Sequence, residues 1–135
     1  MSSLQRLFHL VLPADWTARG GLRDGSWRPA SLAAEGFVHL SFAHQLEGTL
    51  GAHFGSVDQL WLFELEAREL GDELRLEVSR GGEAFPHLYR EVSAAELARR
   101  WRLARRAGGW ALPRLGARPA EDRPPGETPP FGGGP

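Results

Sequence analysis

Residues 4–12 are apolar at most positions. Phe8, Leu10 and Leu12 fall on one side of an extended chain, and Leu7, His9 and Val11 on the other. Two apolar faces mark a central strand covered on both sides. Pro13 ends it. Residues 14–19 read as a short helix anchored by Trp16 and stopped by Gly20 and Gly21. Residues 28–35 form a turn or short helix that leads to Gly36. Residues 37–41 form a short strand with Phe37, His39 and Ser41 on one side and Val38 and Leu40 on the other. The spacing of Leu46, Leu50 and Phe54 predicts a helix over 42–54, with Gln45, Thr49 and His53 as the adjacent polar stripe. Residues 57–65 are a second two-faced strand. Leu74, Leu76 and Val78 alternate with Glu73, Arg75 and Glu77, which predicts a half-exposed strand. A turn at 79–82 follows, then an extended segment at 85–89, where Pro86 marks a strand start or edge. Ser93 caps a short helix over 94–97. A terminal hairpin carries Trp101 and Leu103 on one arm, turns at Gly108 and Gly109, and carries Trp110 and Leu112 on the other. Strands and short helices alternate without a βαβ rhythm, so the fold class is α+β.

Composition sets the scale. The chain has 135 residues, 41% of them hydrophobic, and a formal net charge of -1. That predicts one compact domain over residues 1–113. Residues 114–135, rich in Pro and Gly, are expected to form a disordered tail. No apolar run reaches the roughly 20 residues needed to cross a bilayer, and no signal peptide is evident, so a cytoplasmic location is expected. There is no Cys, which excludes thiolate nucleophiles and Cys-ligated metals. All 16 basic residues are Arg; without Lys there is no Schiff-base chemistry. The balanced charge gives no strong nucleic-acid signal. Arg99, Arg100, Arg102, Arg105 and Arg106, together with Trp101 and Trp110, form either a partner surface or a solvated strand face.

Candidate chemistry concentrates in three histidine segments. His9 sits mid-strand, where an imidazole is either a core residue with internal partners or a ligand contact. His39 and Ser41 share one side of their strand at the entry to a helix. Ser41 caps that helix, or the helix start and His39 receive a phosphate. His87 and Tyr89 share a side of the segment at 85–89. His44 and His53 read as solvated helix residues, and no spacing among the histidines supports a metal site.

At these residues the chain resembles the bacterial family called domain of unknown function 952. The likeness rests on Leu7-Phe8-His9, Trp16, Arg28-Pro29-Ala30-Ser31-Leu32, Glu35-Gly36-Phe37-Val38-His39-Leu40-Ser41, Gln45, Phe54, Glu77 and Phe85-Pro86-His87-Leu88-Tyr89. That family is similar in fold to the ADP-ribosyltransferase superfamily. The resemblance implies a split, mixed sheet with short helices around a cleft that holds NAD or a related nucleotide. His9, Ser31, His39, Ser41 and Gln45 would bind the nucleotide, with His39 packed on nicotinamide. His39, His87 and Tyr89 would be the catalytic set. His87 falls near the point where such transferases carry a catalytic Glu. The implied activities are ADP-ribosyl transfer, NAD glycohydrolysis, or non-catalytic sensing of a small molecule or nucleotide in the same pocket.

Overall fold

The computed structural model describes residues 5–97 and 99–112. The tail expected over 114–135 lies outside them. The elements are β1 (Arg6–Val11), α1 (Pro13–Ala18), β2 (Ser26–Trp27), α2 (Ala30–Glu35), β3 (Val38–His39), α3 (Leu46–His53), β4 (Gln59–Glu66), β5 (Leu74–Val78), β6 (Ala84–Leu88), β7 (Val92–Ser93), β8 (Arg99–Arg106) and β9 (Gly109–Trp110). They build a four-stranded sheet in the order β1-β4-β8-β9, a three-stranded sheet β3-β6-β5, and a two-stranded ribbon β2-β7.

The fold is α+β, as the pattern requires. The sheet is split, but it is not mixed: every strand pair among the described residues is antiparallel. A parallel pair needs a long crossover, usually a helix that spans the sheet. The α-helices here are only six to eight residues long.

The two apolar faces of β1 and β4 each carry a core. Leu7, Val11, Trp61, Phe63 and Leu65 pack with Trp16, Trp27, Val38, Leu40 and Leu88. On the opposite face Phe8, Leu60, Leu62, Trp101 and Leu103 pack with Leu46 and Leu50 of α3. Truncating a buried leucine such as Leu50 to Ala should cost about 2–5 kcal/mol. The sheets meet where Phe8 and Ser41 exchange two backbone hydrogen bonds of 2.8 Å each. Glu64, buried in β4, is clamped by Arg6 of β1 and lies 3.6 Å from Arg99 of β8.

Five local expectations need correction. β1 is covered on both faces but is not central: it ends the β1-β4-β8-β9 order, with the Phe8–Ser41 bridge on its outer side. The segment after Ser41 does not start as an α-helix: residues 43–45 form a 3-10 turn, and α3 begins at Leu46. Ser41 caps nothing there. The Phe42 N–H donates instead to Gln45 Oε1 at 3.0 Å, and the Ser41 N–H is spent on Phe8. Pro86 is neither a strand start nor on an edge strand, because β6 is the centre of its sheet. The Pro86 carbonyl accepts from the Leu40 N–H, so its missing donor faces Leu40, just past the two-residue β3, and the β5 ladder loses nothing. Finally, the apolar side of β5 is not buried along its length: Leu74 packs on the core, but Leu76 is 49% and Val78 72% exposed.

His9 is buried between elements. Its Nε2 accepts the Trp27 indole N–H at 2.9 Å, so Nδ1 carries the proton and donates to the His39 carbonyl at 2.9 Å. Burial lowers its pKa to about 4 from an ordinary value of 6.5. The unfolded chain therefore binds a proton below pH 6.5 that the folded chain refuses until about pH 4. The contribution is fully present above pH 6.5 and is lost as pH falls towards 4. Unfolding free energy should drop by roughly 3 kcal/mol across that window. Urea melts at half-unit pH steps check this: the drop should be largely absent in His9→Gln.

Candidate functional site

A cleft of about 580 Å³ opens beside the junction of the two larger sheets. Its wall takes Phe8, His9 and Leu10 from β1, Ser31 and Glu35 from α2, His39 from β3, Leu40 and Ser41 just after it, Thr49 and His53 from α3, and Phe85 and His87 from β6. Asp15 and Phe54 also line it. The local sequence explains the convergence. Gly36 ends α2 in the left-handed conformation (φ 92°), which lets the chain reverse straight into β3. The alternation in 37–41 then turns Val38 and Leu40 into the core and leaves His39 exposed.

The three histidine segments do meet here, but their imidazoles have different freedom. Both ring nitrogens of His9 are spent on Trp27 and on the His39 backbone. His39 is half-exposed, and its Nε2 lies 3.0 Å from the Glu35 carboxylate. His87 is only 4% exposed. It sits opposite His39 in the β3–β6 register, with the two rings 5.4 Å apart and edge to face. Phe37 stacks on it at 3.9 Å.

On its far edge His87 Nδ1 lies 2.8 Å from Glu77 Oε1, and the Tyr89 hydroxyl donates to the same oxygen at 2.6 Å. The hydrogen bonds from Tyr89 and His87 hold the Glu77 carboxyl below its usual range. The same bond to Glu77 raises the Tyr89 phenol, which stays protonated. A carboxylate only accepts, so Nδ1 carries the proton in this bond. Nε2 of His87 is buried and has no hydrogen-bond partner. A buried orphan nitrogen is uncommon and calls for an explanation.

The other expected site residues fall as follows. The Ser31 hydroxyl lines the cleft and donates to the Phe37 carbonyl at 2.8 Å. The Ser41 hydroxyl lies 3.3 Å from that of Thr49. Gln45 is buried with both ends of its amide in use, accepting from Phe42 and donating to the Ala84 carbonyl at 2.8 Å. Neither Gln45 nor Tyr89 is part of the cleft wall; Tyr89 reaches it only through Glu77 and His87. His44 is exposed on the surface beside Glu83. His53 lines the cleft with Thr49 of the same helix. Glu77, one of the residues that alternate with the apolar positions of β5, orients His87. The signal for Glu77 is strand arithmetic: in an antiparallel pair it lies diagonally across from His87, within reach of a long side chain. Among the described residues no group of three or more His, Asp or Glu is arranged to hold a metal ion.

The proton position on His87 is testable. Long-range nitrogen–proton NMR spectra should show a single Nδ1–H form of the ring at neutral to mildly basic pH. Glu77→Gln, whose amide offers both a donor and an acceptor, should give a mixture of tautomers.

No helix among the described residues is long and apolar enough to cross a membrane. No curated protein matches the chain. Solved structures do. The crystal structure of protein CC0527 from Caulobacter crescentus is 36% identical, with a TM-score of 0.68 over 82% of this chain and 95% of that one. The solution NMR structure of the same protein is 35% identical, with a TM-score of 0.65 over 78% and 90%. A family model described as "Protein of unknown function (DUF952)" matches residues 11–99, which hold α1 to β7, the last residue of β1, the first residue of β8, and most of the cleft wall. This chain belongs to that family.

Proposed function

We propose that the domain binds NAD or a related nucleotide in this cleft, with the base and ribose inside and the phosphates at the open rim. The observation that carries the reading is the His87 ring: buried, oriented by Glu77, and left with an unsatisfied Nε2 in the wall of a cleft large enough for a small ligand. Phe8, Phe54 and Phe85 supply apolar surface for a flat base, and the Ser31, Ser41 and Thr49 hydroxyls suit a ribose. Charge sets the polarity of binding. Glu35 and Asp15 line the cleft and repel phosphate, and among the described residues no Arg lines it, so a pyrophosphate would sit outward near His39 and His53.

Sensing without turnover is the first use of such a site. The second is cleavage of the nicotinamide–ribose bond, by transfer or by hydrolysis. It is favoured by Glu35, a carboxylate in the cleft that would stabilise the positive charge developing on the ribose, with His87 oriented to handle a proton. His9 contributes to either use only through the backbone, by holding the His39 carbonyl.

Calorimetric titration of the full chain with NAD and with adenosine tests the reading. Both should bind, and His87→Ala should weaken binding at least about tenfold, roughly 1.4 kcal/mol. His44→Ala, on the surface, should leave it unchanged. Absence of heat at millimolar NAD, or equal loss in both variants, overturns the assignment. Mass spectrometry for free nicotinamide then separates turnover from sensing.

A further inference from the structure

We propose that the edge of β5 is a self-recognition surface, on which a second copy of this chain pairs antiparallel about Leu76. β5 closes one side of the β3-β6-β5 sheet. An open edge carrying bare apolar side chains is a template for another strand, and such edges are ordinarily short, charged or covered. Here Leu76 and Val78 are the two large apolar side chains exposed among the described residues, and both lie on this strand.

The sequence of β5 names the occupant. It reads Leu74-Arg75-Leu76-Glu77-Val78, which is self-complementary about its centre. With Leu76 facing its own copy across a two-fold axis, Arg75 stands opposite the second copy's Glu77, and Glu77 opposite its Arg75. Leu74 stands opposite Val78. Opposite charges and apolar pairs facing directly across strands are favourable, and a closed two-fold contact uses one patch twice.

The backbone agrees with this register. Tyr89 donates to the Glu73 carbonyl, so residues 73, 75 and 77 spend their ladder groups on β6. Residues 74, 76 and 78 then point theirs away from β6. The Leu74 N–H is already used on Gly71. Four bonds remain across the axis: two between the Leu76 residues, and one from each Val78 N–H to the opposing Leu74 carbonyl.

Charge is also available. His87 and Tyr89 both bond Oε1 of Glu77, which leaves its other oxygen for an incoming guanidinium. Arg75 lies over the Tyr89 ring, 4.9 Å from its centre, on the same side of the sheet. Five residues bury little area, so the pair should be weak and reversible, with a Kd on the order of 100 μM.

Sedimentation equilibrium of the full chain, from about 10 to 1000 μM, tests this. The average mass should rise from one chain towards two. Leu76→Lys, which sets two ammonium groups at the axis, and Val78→Pro, which removes an outward donor, should each abolish the rise while far-ultraviolet circular dichroism stays unchanged. A chain that remains a monomer throughout, or a dimer that persists in both variants, overturns the proposal. Because the chain has no Cys, a second readout is clean. Facing residues at such a pair lie about 5.5 Å apart at Cα, within disulfide range. Leu76→Cys should cross-link at least tenfold faster under mild oxidation than Ala33→Cys on exposed α2; equal rates count against the pairing.

Discussion

The architecture turns on one imidazole. His9 takes a proton-bearing indole on one nitrogen and gives its own proton to a backbone carbonyl with the other. It lies on β1 and its two partners lie on β2 and β3, strands of three different sheets. A leucine there would fill the space but leave the Trp27 N–H and the His39 carbonyl without their partner, and a buried unpaired group costs about 1–3 kcal/mol. The arrangement works only with a neutral ring, which is why burial and the fixed proton position belong together.

That pin also divides the labour among the histidines. Because His9 fixes the backbone of His39, the His39 side chain is presented outward at a defined place, opposite His87. His87 in turn is fixed from behind by Glu77 and covered by Phe37. The His39 and His87 side chains of the cleft thus stand at positions set by their neighbours. Gln45 belongs to this supporting set: it ties the turn before α3 to the start of β6.

Much of this was legible in the sequence, for physical reasons. The two-faced apolar pattern of β1 and β4 reports double coverage directly. The alternation in 37–41 told which side His39 would face. The Leu46 and Leu50 stripe located α3 against the sheet. Other features were out of reach because they depend on long-range partners. Nothing local in 6–11 says that His9 meets Trp27. A proline reads as an edge residue until its missing donor is seen to face the end of a two-residue strand. A Ser before a helix reads as a cap until the turn is seen to start one residue later, with Phe42 at the cap position and its N–H bonded to Gln45. Alternation in β5 predicts a buried side, but whether anything lies above it is a question of tertiary packing that the strand itself does not answer.

Glu77 and His87 sit on strands of unequal security. β6 is held on both flanks, whereas β5 is held on one. Fraying of an outer strand needs far less free energy than global unfolding. The carboxylate that directs the imidazole proton is therefore mounted on the more labile of the two supports, so the electrostatic tuning of the pocket rises and falls with a local opening motion that leaves both cores intact.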